Sequence, residues 1–140
     1  MKDASVRRWS KAHRMLFRMT GGRVGNRLVD NDMLLLTTIG RMTGEPHTVP
    51  LLYLRDEDSL VVIASYGGRH HYPDWYLNLE KVPEVSVELP GNTHRMVGRT
   101  ADSDERARWW PRIVDAYEGY AAYQSRTDRE IPVVFLDAVP

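Results

Sequence analysis

The sequence predicts a mainly β protein of the α+β class, in which about six antiparallel strands form one small closed or split barrel with helices at its periphery. Three observations favour this class. The chain of 140 residues suits one domain. Short β-branched runs separated by turn signals recur along it, and few helical segments interrupt them. A doubly wound parallel sheet would need a helix after nearly every strand, so the pattern excludes that class.

The first 31 residues are predicted to be distinct from the barrel domain at 32–140. Apolar residues recur at three- and four-residue spacing over residues 5–19, which indicates an amphipathic helix, and a glycine-rich link follows it. Residues 1–29 hold eight Lys or Arg and one acid, so the remainder has 11 basic and 18 acidic residues, a net −7. Such a helix can contact an anionic membrane or pack on the acidic body of its own domain.

Three strands are predicted in the first half of the barrel domain, at residues 33–39, 48–55 and 59–65. A turn with two glycines joins the first pair and a polar turn joins the second, so we expect a three-stranded meander. A short helix at 73–81 follows, with proline in its first turn.

The second half is predicted to contain a hairpin, helices and a final strand. Strands at 85–89 and 95–101 flank a Pro-Gly-Asn turn. Asp102 and Glu105 form the capping box of a helix, and Pro111 either kinks that helix or begins a second one. A short helical segment at 120–126 and a strand at 131–139 complete the domain.

Composition excludes several functions. The chain has no cysteine, which removes disulfides, thiolate metal sites and thiol nucleophiles. The histidines lack metal-binding spacing, so no metal is expected, and neither a nucleophile elbow nor a Rossmann fingerprint is present. The acidic body argues against a nucleic-acid partner. Because no apolar run could span a bilayer and no signal peptide is evident, we expect a cytoplasmic protein, with the basic helix a candidate contact to the inner face of the membrane.

Two glycine-containing turns are candidate anion sites. Arg41 lies in the turn that follows Thr37 and Thr38, and Gly67 and Gly68 follow the third strand next to a second Arg. Turns of this kind direct backbone N–H groups at one point, and an adjacent guanidinium adds charge-assisted hydrogen bonds to a phosphate. An ordinary hairpin turn and a plain loop are the alternative interpretations.

A series of three tyrosines, Tyr117, Tyr120 and Tyr123, recurs at three-residue spacing, which places the phenols on one side of a helical segment. Phenols stack on flat aromatic ligands and can donate a proton to a developing anion. Packing in the core is the alternative.

Taken together, these segments resemble the deazaflavin-dependent nitroreductase family of actinobacteria. The resemblance covers roughly residues 32–137. The residues that show it are Leu34 to Arg41 with Gly44, Pro50-Leu51, Ala64-Ser65 with Gly67-Gly68, Pro73, Trp75-Tyr76, Asn78-Leu79, Trp110-Pro111, the three tyrosines, Asp128-Arg129 and Ile131-Pro132.

This resemblance implies a split β-barrel oxidoreductase that passes hydride from reduced coenzyme F-420, an 8-hydroxy-5-deazaflavin, to a quinone, enone or nitroaromatic acceptor. It implies Tyr120 and Ser65 as catalytic residues and an acceptor pocket formed by Leu52 and the three tyrosines. The residues implied to bind the cofactor are Arg41, Met42, Thr43, Gly44, His47, Pro50, Ser65, Tyr66, Gly67, Gly68 and Asn78. A homodimer is also expected.

Four positions depart from the family pattern. Met42 and Tyr66 stand where relatives often carry Lys, His47 stands where Arg is common, and Leu52 replaces an acceptor-site Tyr. Loss of fixed positive charge predicts weaker binding of an anionic cofactor. Two alternatives therefore stay open: a non-enzymatic F-420 carrier, and a split-barrel protein that binds FMN.

Overall fold

The computed structural model describes residues 33–65, 71–117 and 119–139. The predictions for the basic helix at 5–19 and for Tyr66, Gly67 and Gly68 lie outside these residues. The division of the chain into 1–31 and 32–140 stays a prediction.

Over the described ranges the chain forms seven strands and three helices. In chain order they are β1 (Met33–Ile39), β2 (Pro46–Leu52), β3 (Leu54–Asp56), β4 (Ser59–Ile63), α1 (Asp74–Lys81), β5 (Glu84–Leu89), β6 (Asn92–Thr100), α2 (Ser103–Ala116), α3 (Gly119–Ser125) and β7 (Val133–Ala138).

All strands belong to one antiparallel sheet with the order β2-β1-β5-β6-β7-β4-β3. Alternate residues of six strands meet in one apolar core, which includes Leu36 of β1, Leu51 of β2, Val62 of β4 and Leu136 of β7. Strands from both halves of the sheet can share one core only if the sheet curls on itself. The fold is a split β-barrel, which confirms the predicted class.

A second apolar cluster lies on the other face of β4 and β7. It joins Ile63 and Phe135 of these strands to Trp109 and Ile113 of α2 and to the tyrosines of α3. The Trp109 and Phe135 rings meet edge to face with centroids 5.9 Å apart. Helices α2 and α3 are therefore held on the barrel wall by apolar burial.

The predicted three-stranded meander was wrong. The strand predicted at 48–55 is interrupted at Tyr53, where the chain passes from the β1 side of the sheet to the β4 side. Its last part, β3, pairs with β4, and β4 pairs on its other side with β7, so the meander is not formed. Of the two alternatives for Pro111, the one in which it begins a second helix was wrong, because α2 runs as one element through it.

The capping box that begins α2 is confirmed. The Glu105 amide donates to Asp102 Oδ1 at 2.8 Å, and the Asp102 amide donates to Glu105 Oε1 at 3.0 Å. Arg99, which bonds Glu105 at 2.9 Å, lowers the pKa of that carboxyl, and the Asp102 amide adds to the effect.

Strand direction determines which loops can meet. Since each neighbouring pair is antiparallel, β1, β4 and β6 run the same way and finish at one end of the barrel, at Ile39, Ile63 and Thr100. We call this the site end. Helix α1 packs there: the hydroxyls of Tyr76 and Thr100 are 2.9 Å apart, and Leu79 belongs to the barrel core.

No helix in the described ranges is long and apolar enough to span a membrane.

Candidate functional site

The turn between β1 and β2 is a compact loop at the site end. The Gly40 amide donates to the Glu45 carbonyl at 2.8 Å, and the Gly44 amide donates to the Gly40 carbonyl at 2.8 Å. Gly44 has φ +74°, a conformation that favours glycine. A Cβ at Gly40 would lie 2.6 Å from Thr43 Oγ1 and 2.9 Å from His47 Nε2. Glycine at position 40 therefore allows both polar side chains to close over the turn.

Helix α1 holds Arg41 in this turn. Asn78 Oδ1 accepts from the Arg41 amide at 3.1 Å and from its guanidinium at 2.8 Å. The guanidinium also pairs with Asp74 Oδ1 at 3.3 Å, and Lys81 Nζ donates to the Arg41 carbonyl at 3.2 Å. The Asn78 amide nitrogen donates to Thr38 Oγ1 at 3.2 Å. Arg41 is thereby fixed in position with part of its side chain, 27%, still exposed.

The donors at this turn suit an anionic ligand. Arg41 and Lys81 supply two positive charges against the one carboxylate of Asp74, and the exposed Thr43 and His47 add polar side chains. Met42, at 83% exposure, adds no charge. Planar guanidinium donors form strong, directional bonds to phosphate and carboxylate oxygens.

Strand β2 continues from this polar turn into apolar surroundings. His47 is exposed, whereas Pro50, opposite Leu35 of β1, is buried. A rise of about 3.3 Å per residue separates these two positions by roughly 10 Å. Because side chains alternate along a strand, His47 and Pro50 face opposite sides of β2, so the fit to a deazaflavin cofactor rests on the turn, where Arg41 and Lys81 suit an anionic tail.

The second predicted site segment begins where β4 ends. The Ala64 amide donates to the Pro132 carbonyl at 3.0 Å, which extends the β4–β7 pairing by one bond. The guanidinium of Arg129 then donates to the Ala64 carbonyl at 3.2 Å and to the Ser65 carbonyl at 2.7 Å. Ser65 is buried, at 8% exposure.

The three tyrosines form a continuous row beside β4. The ring centroids of Tyr117 and Tyr120 are 6.1 Å apart and those of Tyr120 and Tyr123 are 5.7 Å apart, both edge to face. The Tyr117 hydroxyl donates to the Tyr53 carbonyl at 3.4 Å, next to Leu52. The row therefore reaches the end of β2 and places the predicted acceptor-pocket residues in one region.

Tyr120 is the central phenol of this row. Burial raises its pKa, and the neighbouring phenols of Tyr117 and Tyr123 raise it further. The Tyr120 phenol therefore keeps its proton at neutral pH.

The structure thus brings most of the predicted site residues into two groups. Arg41, Thr43, Gly44 and His47 lie in one turn held by Asn78, and Leu52 lies beside the tyrosine row. Sequence reasoning missed Asp74 and Lys81 as partners of Arg41, although their spacing of four and three residues from Asn78 places all three on one helix face. It also gave no role to Arg129, despite its place in a quoted motif.

These features define a class: a split-barrel protein with a cationic turn suited to an anionic ligand and a row of tyrosines on the barrel wall. The family model described as F-420H(2)-dependent quinone reductase matches residues 9–138. The chain belongs to this family and is an oxidoreductase that depends on coenzyme F-420.

Similar proteins agree with this assignment. An F-420H(2)-dependent quinone reductase of Mycobacterium tuberculosis is 37% identical over 131 residues, covering 90% of this chain and 87% of the relative. The solved structure of an F-420-H2 dependent reductase is 35% identical with a TM-score of 0.71, covering 79% of this chain and 97% of that one. A further structure, described as a domain-swapped dimer, is 33% identical with a TM-score of 0.71, covering 96% and 98%.

Proposed function

We propose that this chain reduces a quinone, with enones and nitroaromatics entering the same pocket, and that the residues described above have separate roles along β2. The observation that supports this proposal is the order of groups on one strand. His47 follows the turn that contains Arg41, Pro50 lies further along, and Leu52 lies next to the tyrosine row. This order matches cofactor tail, cofactor ring and acceptor.

We assign cofactor binding to the turn between β1 and β2, to Pro50 in β2 and to the chain that follows β4. Arg41, Thr43 and His47 hold the phosphate and oligoglutamate tail, with Asn78 fixing Arg41. The remaining residues of the proposed set are Met42, Gly44, Pro50, Ser65, Tyr66, Gly67 and Gly68. When bound in its reduced form, F-420 supplies a hydride, and the protein supplies position and a proton.

Tyr120 is the proposed proton donor. A quinone that accepts a hydride becomes a hydroquinone anion, and one proton on its oxygen completes the reduction. The Tyr120 phenol is protonated at neutral pH and can donate to that oxygen, after which solvent reprotonates the phenolate. Ser65, at the end of β4, is the proposed hydrogen-bond partner at the ring.

A parallel titration of the purified protein with F-420 and FMN, followed by steady-state assays with a quinone, an enone and a nitroaromatic, tests this function. We expect saturable binding of F-420 in preference to FMN, turnover of the quinone, and a fall in kcat of roughly 10²- to 10⁴-fold in Tyr120→Phe. Preference for FMN, or F-420 binding without turnover of any acceptor, would refute the proposal in favour of an FMN protein or an F-420 carrier. Full turnover by Tyr120→Phe would remove only its role as proton donor.

Two assembly proposals accompany this function. The similar chain described as a domain-swapped dimer supports a homodimer here, which light scattering of the purified protein tests. Contact of residues 5–19 with anionic lipid stays a prediction from the basic charge of that segment. Equal sedimentation with anionic vesicles by the full chain and by a chain that begins at residue 31 would reject it.

A further inference from the structure

A polar link joins the helix that contains the proposed proton donor to the strand end that contains Ser65. It is built by Arg129 and Gln124, and neither residue belongs to the cofactor-binding or acceptor-binding sets described above. The link runs through the short connection between α3 and β7.

Arg129 bonds the chain at the point where β4 leaves the sheet. The β4–β7 pairing ends at Ile63 opposite Val133, followed by the bond from the Ala64 amide to Pro132. Beyond it, the carbonyls of Ala64 and Ser65 accept from two nitrogens of the Arg129 guanidinium, at 3.2 and 2.7 Å. A planar guanidinium can serve two neighbouring acceptors in a fixed geometry, which one ammonium nitrogen cannot reproduce.

The same guanidinium lies 4.8 Å from the centroid of the Tyr72 ring, within the range of a cation–π contact. Ser65 and Tyr72 are on the two sides of residues 66–70 along the chain. Arg129 therefore fixes the position of the chain both before and after this segment.

Gln124 fixes Arg129 to α3. Its Nε2 donates to the Arg129 carbonyl at 2.9 Å, and its Oε1 accepts from the Ile131 amide at 2.9 Å and from Arg106 at 3.0 Å. Gln124 follows Tyr123 directly and lies four residues, about one helical turn, after Tyr120. Displacement of Arg129 would therefore be transmitted to the helix that contains both phenols.

We propose that Arg129, held by Gln124, is a positioning residue for the reduction: it sets the placement of Ser65 relative to Tyr120 and so aligns cofactor and acceptor. This inference rests on the proposed function of Tyr120 and Ser65. Misplacement of reacting groups by about 1 Å can cost 10²-fold in rate, so the chemical step is where loss of the link should be detected.

The test compares Arg129→Lys, Arg129→Met and Gln124→Met with the wild type and with Arg95→Met. Arg95 is the matched control, because it is an exposed arginine of β6 that belongs neither to the proposed site nor to the polar link. Each protein is measured for F-420 affinity by fluorescence, for Tm, and for kcat and KM with the same quinone. The rates are expressed per bound F-420.

In Arg129→Lys and Arg129→Met we expect kcat per bound F-420 to fall about 10- to 100-fold, with F-420 affinity nearly unchanged and Arg95→Met close to wild type. Gln124→Met should show a smaller fall in kcat, and combining it with Arg129→Met should add little. If Arg129→Met does not fold, Arg129→Lys alone decides.

A folded Arg129→Lys with wild-type kcat and KM would overturn the inference. So would losses of activity that only follow losses of F-420 binding or Tm, since these indicate a purely structural role. A wild-type protein that binds F-420 but reduces no quinone would instead refute the proposed function, and the inference with it.

Discussion

Asn78 Oδ1 accepts from both the backbone amide and the guanidinium of Arg41, at 3.1 and 2.8 Å. The other end of the same amide donates to Thr38 Oγ1 at 3.2 Å, which fixes the orientation of the Asn78 side chain. Asn78 is 3% exposed. The buried Asn78 side chain therefore links α1 to β1 and to the turn between β1 and β2, and it determines where the Arg41 charge lies.

Replacement of Asn78 by Leu should weaken both the fold and cofactor binding. The substitution removes the oxygen that accepts from two Arg41 donors. The part-buried backbone amide of Arg41 then lacks a hydrogen-bond acceptor, which costs about 1–3 kcal/mol in the free energy of unfolding. We expect F-420 affinity to fall about tenfold, the equivalent of 1.4 kcal/mol. Denaturant titration and fluorescence titration measure the two effects.

Asn78→Asp is the control for that prediction, because it keeps an oxygen facing Arg41. It should retain more of the affinity than Asn78→Leu. Equal F-420 affinity in Asn78→Leu and wild type would show that fixing Arg41 has no part in binding.

Addition of a positive charge at position 42 should strengthen cofactor binding. Met42 is 83% exposed beside Arg41, so Met42→Lys can place an ammonium near an anionic tail without disturbing the core. Exposed charge pairs contribute little each, so we expect a gain in F-420 affinity of about two- to fivefold that declines as salt is raised. Met42→Gln, which adds polarity without charge, should give no gain, and a gain equal to that of Met42→Lys would contradict the electrostatic explanation.

Much of the fold could be predicted because it depends on local signals. The capping box at Asp102 and Glu105 and the β-branched run of β4 each specify an element from adjacent residues. The break at Tyr53 could not be predicted, since it depends on the curl of the sheet and on long-range pairing of β3 with β4. Local propensity gives no information about which distant strand becomes a neighbour.

The candidate site was predictable only in part, for the same reason. The residues of the first turn are adjacent in sequence, and the family resemblance named them. Their support is distant: Asp74 and Lys81 reach Arg41 from more than 30 residues away, and Arg129 reaches Ser65 from 64 residues away. Residues so distant in sequence become partners only through tertiary packing, which local sequence patterns do not show.

Gly98 lies where α1 packs against the barrel, so a substitution there tests whether this close packing is required for the site. A Cβ at this position would lie 2.4 Å from Leu79 Cδ1 and 2.8 Å from Leu79 Cγ, and Leu79 follows Asn78 on α1. Gly98→Ala should therefore displace α1, cost about 1–3 kcal/mol in the free energy of unfolding, and reduce F-420 affinity through Asn78 and Arg41.

The comparison variant for Gly98 is Gly91→Ala in the β5–β6 turn. Gly91 has φ +82°, and a Cβ at this position would meet no other atom within 4 Å, so alanine there adds only backbone strain. Gly91→Ala should lower stability without changing F-420 affinity. If Gly98→Ala binds F-420 as well as Gly91→Ala does, close packing of α1 is not required for the site.

The protonation of Tyr120 gives a pH prediction with a definite sign. Burial raises its pKa in the folded protein above the ordinary phenol value of 10.0. Above pH 10 the unfolded phenol therefore loses its proton while the folded one keeps it, so the contribution of Tyr120 to stability is present below pH 10 and declines as pH rises beyond it. Tyr76, whose pKa is also raised by burial, acts in the same direction in wild type and variant. Urea titrations at pH 8 and above pH 10 measure this effect, and between these two pH values Tyr120→Phe should lose less stability than the wild type. Equal losses would place the Tyr120 phenol in contact with solvent, where it could not remain a protonated donor in alkaline solution.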